Sequence, residues 1–262
     1  MEFRNKYICI TGGSAGIGKA ILSDLINRGA SHFAIIARRK EPLKALEDEF
    51  PDVSFLLISA DMGNPAEVSK AAEEIRESWG RLDILINNAG VVSAALLDEM
   101  SDEDIIGQIG INLTGLILFT KKCLPMLKES NEAAIMNVSS GLGFIARPFY
   151  NVYAVTKAGV RHFSEAMRRE LKDFPIHVMT IYPTATDTPM MKNATVGNMD
   201  DPADVARVSI DGMVSGEIDV VFGGDKRLED IRKNFLEPGE MDKVIETQFD
   251  ALRERTKDHR AM

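Results

Sequence analysis

Seven short runs of β-branched and large apolar residues, at 6–10, 33–37, 54–60, 82–87, 134–139, 177–182 and 219–222, alternate with longer segments patterned as helices. Few folds accept that alternation. Several runs, including F-L-L-I at 55–58 and I-L-I at 84–86, are apolar at every position, as a strand must be when helices cover both its faces. The helical segments, at 17–28, 41–49, 66–79, 102–128, 152–172 and 203–214, fall between strands, where a parallel sheet needs its crossovers. The sequence thus predicts an α/β fold: a single Rossmann-like, doubly wound domain with a mostly parallel sheet of about seven strands flanked by helices. Asn64-Pro65, Ser101 ahead of three acidic residues, and Asp201-Pro202 mark helix starts.

From Pro238 onward, Met241, Ile245, Phe249 and Leu252 recur at helical spacing among charges. They predict an amphipathic C-terminal helix over 239–262 that extends the domain of residues 1–238. Its apolar stripe is expected to cover the domain, its own active site or a partner subunit.

A formal net charge of −9 over 262 residues argues against nucleic acid as a partner, because phosphate binding needs a basic face. No apolar run is long enough to span a bilayer, so no membrane partner is expected. The first residues lead directly into a strand-like run without a secretory signal, and a cytoplasmic location is the expectation. Cys9 and Cys123 sit in apolar segments without metal-ligand spacing and read as buried thiols; no metal site is expected. His32, His162, His177 and His259 are scattered and read as structural or surface residues.

Tyr153-Ala-Val-Thr-Lys157, with Ser140 upstream, fits a proton-transfer site or, taken alone, a surface tyrosine and lysine on an ordinary helix. On a helix, residues four apart share a face, placing the Lys157 ammonium beside the Tyr153 ring. A nearby cation favours phenolate and is expected to lower the Tyr153 pKa from about 10 toward working pH. Ser140 is positioned to hold a substrate oxygen. Between the first strand and first helix, T-G-G-S-A-G-I-G at 11–18 offers backbone N–H groups and a helix N-terminus to a pyrophosphate. After the second strand come Arg38, Arg39 and Lys40, with no acid to meet a ribose hydroxyl. Arginine there suits a 2′-phosphate, so NADP(H) is preferred and NAD is the alternative. Asp61, ending the third strand, fits an adenine contact or a turn, and N-N-A-G at 87–90 fits the ligand crevice or a plain turn.

Taken in order, these motifs resemble the short-chain dehydrogenase/reductase family, in its compact Y-x-x-x-K form, along nearly the whole chain. The resemblance implies a catalytic set of Asn112, Ser140, Tyr153 and Lys157. It implies a cofactor surface of Gly12, Ser14, Gly16, Ile17, Gly18, Arg38, Arg39, Asp61, Met62, Asn88, Ala89 and Gly90, joined by Tyr153, Lys157, Pro183, Thr186 and Thr188. Asn112 is expected to anchor a water that relays protons toward Lys157, and Lys157 to bind the nicotinamide ribose. The implied activity is an NADP(H)-dependent oxidoreductase acting on a ketone, aldehyde or secondary alcohol; the alternative is a catalytically silent NADP-binding regulatory or scaffold protein. A homodimer or homotetramer packed through the helices carrying Asn112 and Tyr153 is also implied. One position departs from the family: Thr184 stands where glycine is usual, which is expected to crowd the nicotinamide or alter the backbone angle. Phe144, Phe149, Met190 and Met191 fit an apolar substrate pocket or the core, and residues 189–198 fit a lid.

Overall fold

Local chemistry sets the element boundaries in the computed structural model, which describes residues 1–195 and 197–262. Asn64 and Asp201 each accept a hydrogen bond from the second residue of the helix they precede, while Pro65 and Pro202 take the first position, where an N–H is dispensable. The strands are β1 (Tyr7–Thr11), β2 (His32–Ala37), β3 (Ser54–Ser59), β4 (Ile84–Asn87), β5 (Val92–Ser93), β6 (Ala133–Val138), β7 (Ile176–Tyr182), β8 (Asp219–Val221) and β9 (Arg260–Ala261). The helices are α1 (Gly16–Asn27), α2 (Lys40–Glu49), α3 (Pro65–Trp79), α4 (Asp102–Ile109), α5 (Leu116–Lys128), α6 (Asn151–Glu170), α7 (Pro202–Ser215), α8 (Gly224–Leu236), α9 (Pro238–Glu246) and α10 (Phe249–Thr256).

Seven strands form one parallel sheet in the order β3-β2-β1-β4-β6-β7-β8. The predicted sheet is therefore present. Strand order reverses between β1 and β4, which opens a ligand crevice at the strands' carboxyl ends. Alternate residues of each strand feed opposite cores: Ile8 and Ile10 pack with Leu22 of α1 and Ile210 of α7, whereas Cys9 packs with Val68 of α3 and Phe119 of α5. Among the described residues, no helix is long and apolar enough to cross a membrane, and no cluster of side chains suits a metal ion.

Two predicted helices are drawn differently by the structure. The segment 102–128 is broken by a π-helical stretch, Gly110–Gly115, because the Asn112 side chain binds the chain at Val91 and Gly115 packs directly on Met62. A Cβ at Gly115 would lie 2.0 Å from the Met62 carbonyl oxygen. The single C-terminal helix is instead α9 and α10, joined at Thr247 and Gln248. Before them stands α8, which buries none of its residues and so carries little apolar pattern. Beyond them, β9 pairs antiparallel with β5.

A buried polar spine runs beneath the crevice. Asn87 donates to Thr120 Oγ1 (2.9 Å) and Asn137 Oδ1 (2.8 Å), and Asn137 donates to Ser164 Oγ (2.8 Å), tying β4 and β6 to α5 and α6. Removing one member strands the others without water. Asn137→Ala is expected to destabilise the protein by about 1–3 kcal/mol, read from urea unfolding followed by circular dichroism.

Candidate active site

Helix α6 is fastened to the end of β6 through one residue. Lys157 Nζ donates to the Val138 carbonyl (2.9 Å), while the Lys157 carbonyl accepts from Ser139 Oγ (2.8 Å). Tyr153 lies one turn earlier on the same face, with Lys157 Nζ 5.5 Å from its ring centroid. The spacing argument therefore places the pair correctly. Ser139 is spent on that fastening, and Ser140 is not: its Oγ accepts from Leu142 N (3.1 Å), leaving the hydroxyl hydrogen for another acceptor. The turn Gly141–Gly143 that follows keeps Ser140 at the strand's carboxyl end.

The electrostatics differ from the sequence expectation. Burial pushes the Tyr153 phenol well above its ordinary range, with the Ser140 hydroxyl acting in the opposite direction and Tyr150 adding to the rise. Lys157 does not lower it here. Desolvation acts on the lysine too, bringing its ammonium down to about 8.

Asn112 sits fully buried in the π-helical stretch. Its Oδ1 accepts from Val91 N (2.8 Å), and its Nδ2 donates to Val91 O (2.9 Å) and Thr156 Oγ1 (3.2 Å). Both amide hydrogens are used, and the residue joins the end of β4 to α6. Gly90 lies between Asn112 and Lys157, so the predicted N-N-A-G motif borders the Tyr153 and Lys157 pair. Asn88 closes the other side: Nδ2 donates to the carbonyls of Thr11 (3.0 Å) and Gly12 (3.1 Å), and Thr11 Oγ1 accepts from the amides of Asn88 and Ala89. Gly18 packs so tightly on this turn that a Cβ would come within 2.4 Å of Asn88 Nδ2 and the Gly12 carbonyl. Ile17 lies in the first turn of α1, and Thr188 stands beside Gly16.

A cavity of about 200 Å³ follows from this arrangement, lined by Gly12, Ser14, Arg38, Arg39, Asp61, Met62, Ala89 and Gly90. These eight belong to the cofactor surface expected from the sequence, and Ala15, Ile36, Ala37, Ala60, Val91 and Ile111, which sequence reasoning did not name as part of it, complete the wall. Asp61 also serves its turn, accepting from Gly63 N at 2.8 Å through Oδ1. Pro183 accepts from Gly141 N (3.0 Å), and Thr186 is buried with its hydroxyl on the Thr184 carbonyl. Thr184 has no positive φ, and its hydroxyl donates to Asp200. Of the four apolar candidates, Phe149 is buried against Phe249 and Phe144 packs on Tyr182.

His259 takes the structural one of the two roles that the sequence left open. The chain beyond α10 returns along β5 and buries its ring, with Nε2 donating to the Met190 carbonyl (3.0 Å) and Nδ1 2.7 Å from the Tyr150 hydroxyl. A carbonyl only accepts, so Nε2 carries the hydrogen; burial favours the neutral ring, and Nδ1 accepts from Tyr150. Arg260 makes a forked pair with buried Asp104 at 2.8–2.9 Å, and Arg38 donates to the Met262 main-chain oxygen (2.9 Å). No local periodicity signals these contacts, because they depend on a long-range return of the chain.

Lys157 gives the site a pH signature. Its folded pKa of about 8 lies below the ordinary 10.5, so between those values the unfolded chain binds more protons and stability rises with pH. The burial penalty is full below about pH 8 and is relieved toward 10.5. In parallel urea titrations, the wild type is expected to gain stability relative to Lys157→Met across that window; a constant difference would refute the depressed value.

Comparison with known proteins identifies the family. Residues 6–198 match the family described as short chain dehydrogenase. A 3-oxoacyl-[acyl-carrier-protein] reductase of Bos taurus is 30% identical over 84% of this chain and 98% of its own length. An NADPH-dependent 3-dehydrocapnine reductase of Ornithobacterium rhinotracheale is 32% identical over 73% of this chain and 69% of its own. The structure of a short-chain dehydrogenase from Sphingobium yanoikuyae in complex with NADPH superposes with a TM-score of 0.80 at 26% identity, covering 90% of this chain and 95% of that one. With its glycine-rich turn, Ser140 and the Tyr153 and Lys157 pair in the family's order and place, this chain belongs to the short-chain dehydrogenase/reductase family.

Proposed function

We propose that this NAD(P)-dependent oxidoreductase uses NADP(H) to interconvert a ketone or aldehyde with its alcohol, moving the proton at the Tyr153 hydroxyl. The observation that carries this reading is the convergence of Ser140, Tyr153 and Lys157 at the carboxyl end of β6, one glycine away from the cavity that holds Arg38 and Arg39. A nicotinamide dinucleotide fits that cavity chemically: small residues leave backbone amides at the start of α1 for the pyrophosphate, and both exposed arginines flank the far end. When bound, it supplies or accepts the hydride.

The chain's own residues do the rest. Ser140 donates its free hydroxyl hydrogen to the substrate oxygen and stabilises charge growing there. Tyr153, kept protonated by burial, donates to the same oxygen during reduction and takes the proton back during oxidation. Lys157, half titrated near pH 8, reloads Tyr153 and holds the nicotinamide ribose. Asn112 has only its oxygens left for the relay water, since its amide hydrogens are committed. Pro183, Thr186 and Thr188 complete the nicotinamide side of the surface. Nothing at the site or in the relatives supports a silent scaffold.

We read residues 239–262 as an extension of the same domain, and the assembly as a cytoplasmic homodimer or homotetramer. Exposed Ile106 and Ile109 on α4 and Val155 on α6 support packing through those helices.

Tyr153→Phe is expected to lower kcat by roughly a hundredfold or more with NADPH binding retained by fluorescence titration. Near-normal turnover would remove Tyr153 from the mechanism. Arg38→Asp is expected to weaken NADPH on the order of tenfold or more and to spare NADH. Equal NADPH affinity in variant and wild type would remove the arginine from cofactor choice.

A further inference from the structure

Two arginines stand beside the turn that follows Ser140 without a close ion pair of their own. Arg227, in the first turn of α8, donates from Nη2 to the carbonyl of Gly141, the residue after Ser140, at 2.6 Å. Its guanidinium lies flat on that glycine: a Cβ at 141 would meet Nη2 at 2.5 Å and Cζ at 3.2 Å. Its stem passes Gly223, which itself borders Thr184 at the end of β7. Arg147 belongs to the loop between Ser140 and Tyr153 and donates from Nη1 to Gln248 Oε1 at 2.9 Å. Both are half-buried, and among the described residues neither forms an ion pair. The acid that faces them, Asp230, is engaged by Lys226 at 3.6 Å.

That arrangement is unfavourable for the protein alone. Burial holds both guanidinium groups below their usual pKa, the Arg147 charge adds to the effect on Arg227, and the Asp230 carboxylate offsets only part of it for each. Arg227 Nε is buried without any hydrogen-bond partner. Each guanidinium has five N–H donors, and protein acceptors take one from each. Two desolvated like charges with donors to spare are stabilised by an oxyanion between them, which guanidinium forks bind in a plane. The position decides whose oxyanion it is, because the pair flanks the turn that presents Ser140 to the reacting carbonyl.

We propose that Arg147 and Arg227 form an anion subsite that selects carbonyl substrates carrying a carboxylate or similar oxyanion on the carbon chain close to the reacting carbonyl. The proposal rests on the reductase reading and names its substrate class. It also gives α8 a role that its lack of buried residues does not explain: the helix delivers one of the two charges.

The test compares pyruvate, acetoacetate and levulinate with their methyl esters, using NADPH and the full chain. These acids place the carboxylate at successive distances from the ketone. At least one is expected to exceed its ester in kcat/KM by on the order of tenfold, and Arg147→Met and Arg227→Met should each bring the ratio toward one. Esters outrunning every acid, or a ratio untouched by both substitutions, would overturn the subsite while leaving the reductase in place. Calorimetric titration with succinate, an unreactive dicarboxylate, gives a readout that needs no turnover. Binding by the wild type that both variants lose supports the subsite even if no ketone oxidises NADPH, in which case it is the reductase reading that falls. No binding by the wild type counts against the subsite. Should a methionine variant fail to fold, Arg147→Gln and Arg227→Gln are judged by the same ratio and titration.

Discussion

The Lys157 ammonium, buried with a main-chain carbonyl as its partner, is the interaction on which the rest of the site depends. An ammonium in that position is costly, and the protein tolerates it because the bond to Val138 and the reciprocal bond from Ser139 fix α6 against β6. The fixed helix then sets Tyr153 in register with Ser140. The same desolvation that makes the lysine expensive brings it down to about 8, where it exchanges protons near neutral pH. Structural cost and chemical use are one property of one residue.

Below this junction, the structure repeatedly uses polar side chains to join elements that apolar packing alone would leave free to slide. Asn87 and Asn137 are register partners on β4 and β6, and their amides reach Thr120 on α5 and Ser164 on α6. Asn112 crosses from the π-helical stretch to Val91 and Thr156, and Asn88 ties the glycine-rich turn to β4. Hydrogen bonds have direction and apolar contacts do not, so these amides set the angles between elements that already share a core. Each lies near a strand's carboxyl end or, like Asn112, bonds to the chain just beyond one, where angular errors would open or close the crevice.

The sheet was legible because parallel strands buried on both faces must be apolar throughout, and the β/α alternation has few topological solutions. The candidate catalytic residues could be named from the sequence because Tyr153 and Lys157 obey helix periodicity and the glycine turn is local. The π-helical stretch was not: segment 102–128 keeps helical composition, and its distortion arises from Asn112 reaching Val91, a contact between distant positions. The protonation balance at Tyr153 escaped for a related reason. Sequence spacing reveals a neighbouring charge, whereas desolvation depends on everything that packs around the phenol. Arg147 and Arg227 likewise carry no shared motif and meet only because α8 folds back over the turn at 141–143.

The C-terminal segment shows how far such returns reach into the site. Phe149, buried one residue before Tyr150, has φ of 71°, a conformation that costs a bulky L-residue on the order of 1–3 kcal/mol. It is held by Ala95 N on its carbonyl and by the Phe249 ring, whose centroid lies 5.1 Å from its own. The next residue, Tyr150, is held by His259, and the following strand is pinned to α4 by Arg260 and Asp104. The strained entry into α6 therefore rests on α10 and β9 as much as on the sheet. The same segment contacts Met190 on the substrate side and Arg38 at the cofactor's predicted phosphate corner. One terminal stretch thus spans both ends of the crevice, so displacing it would alter the start of α6 and the predicted 2′-phosphate site together.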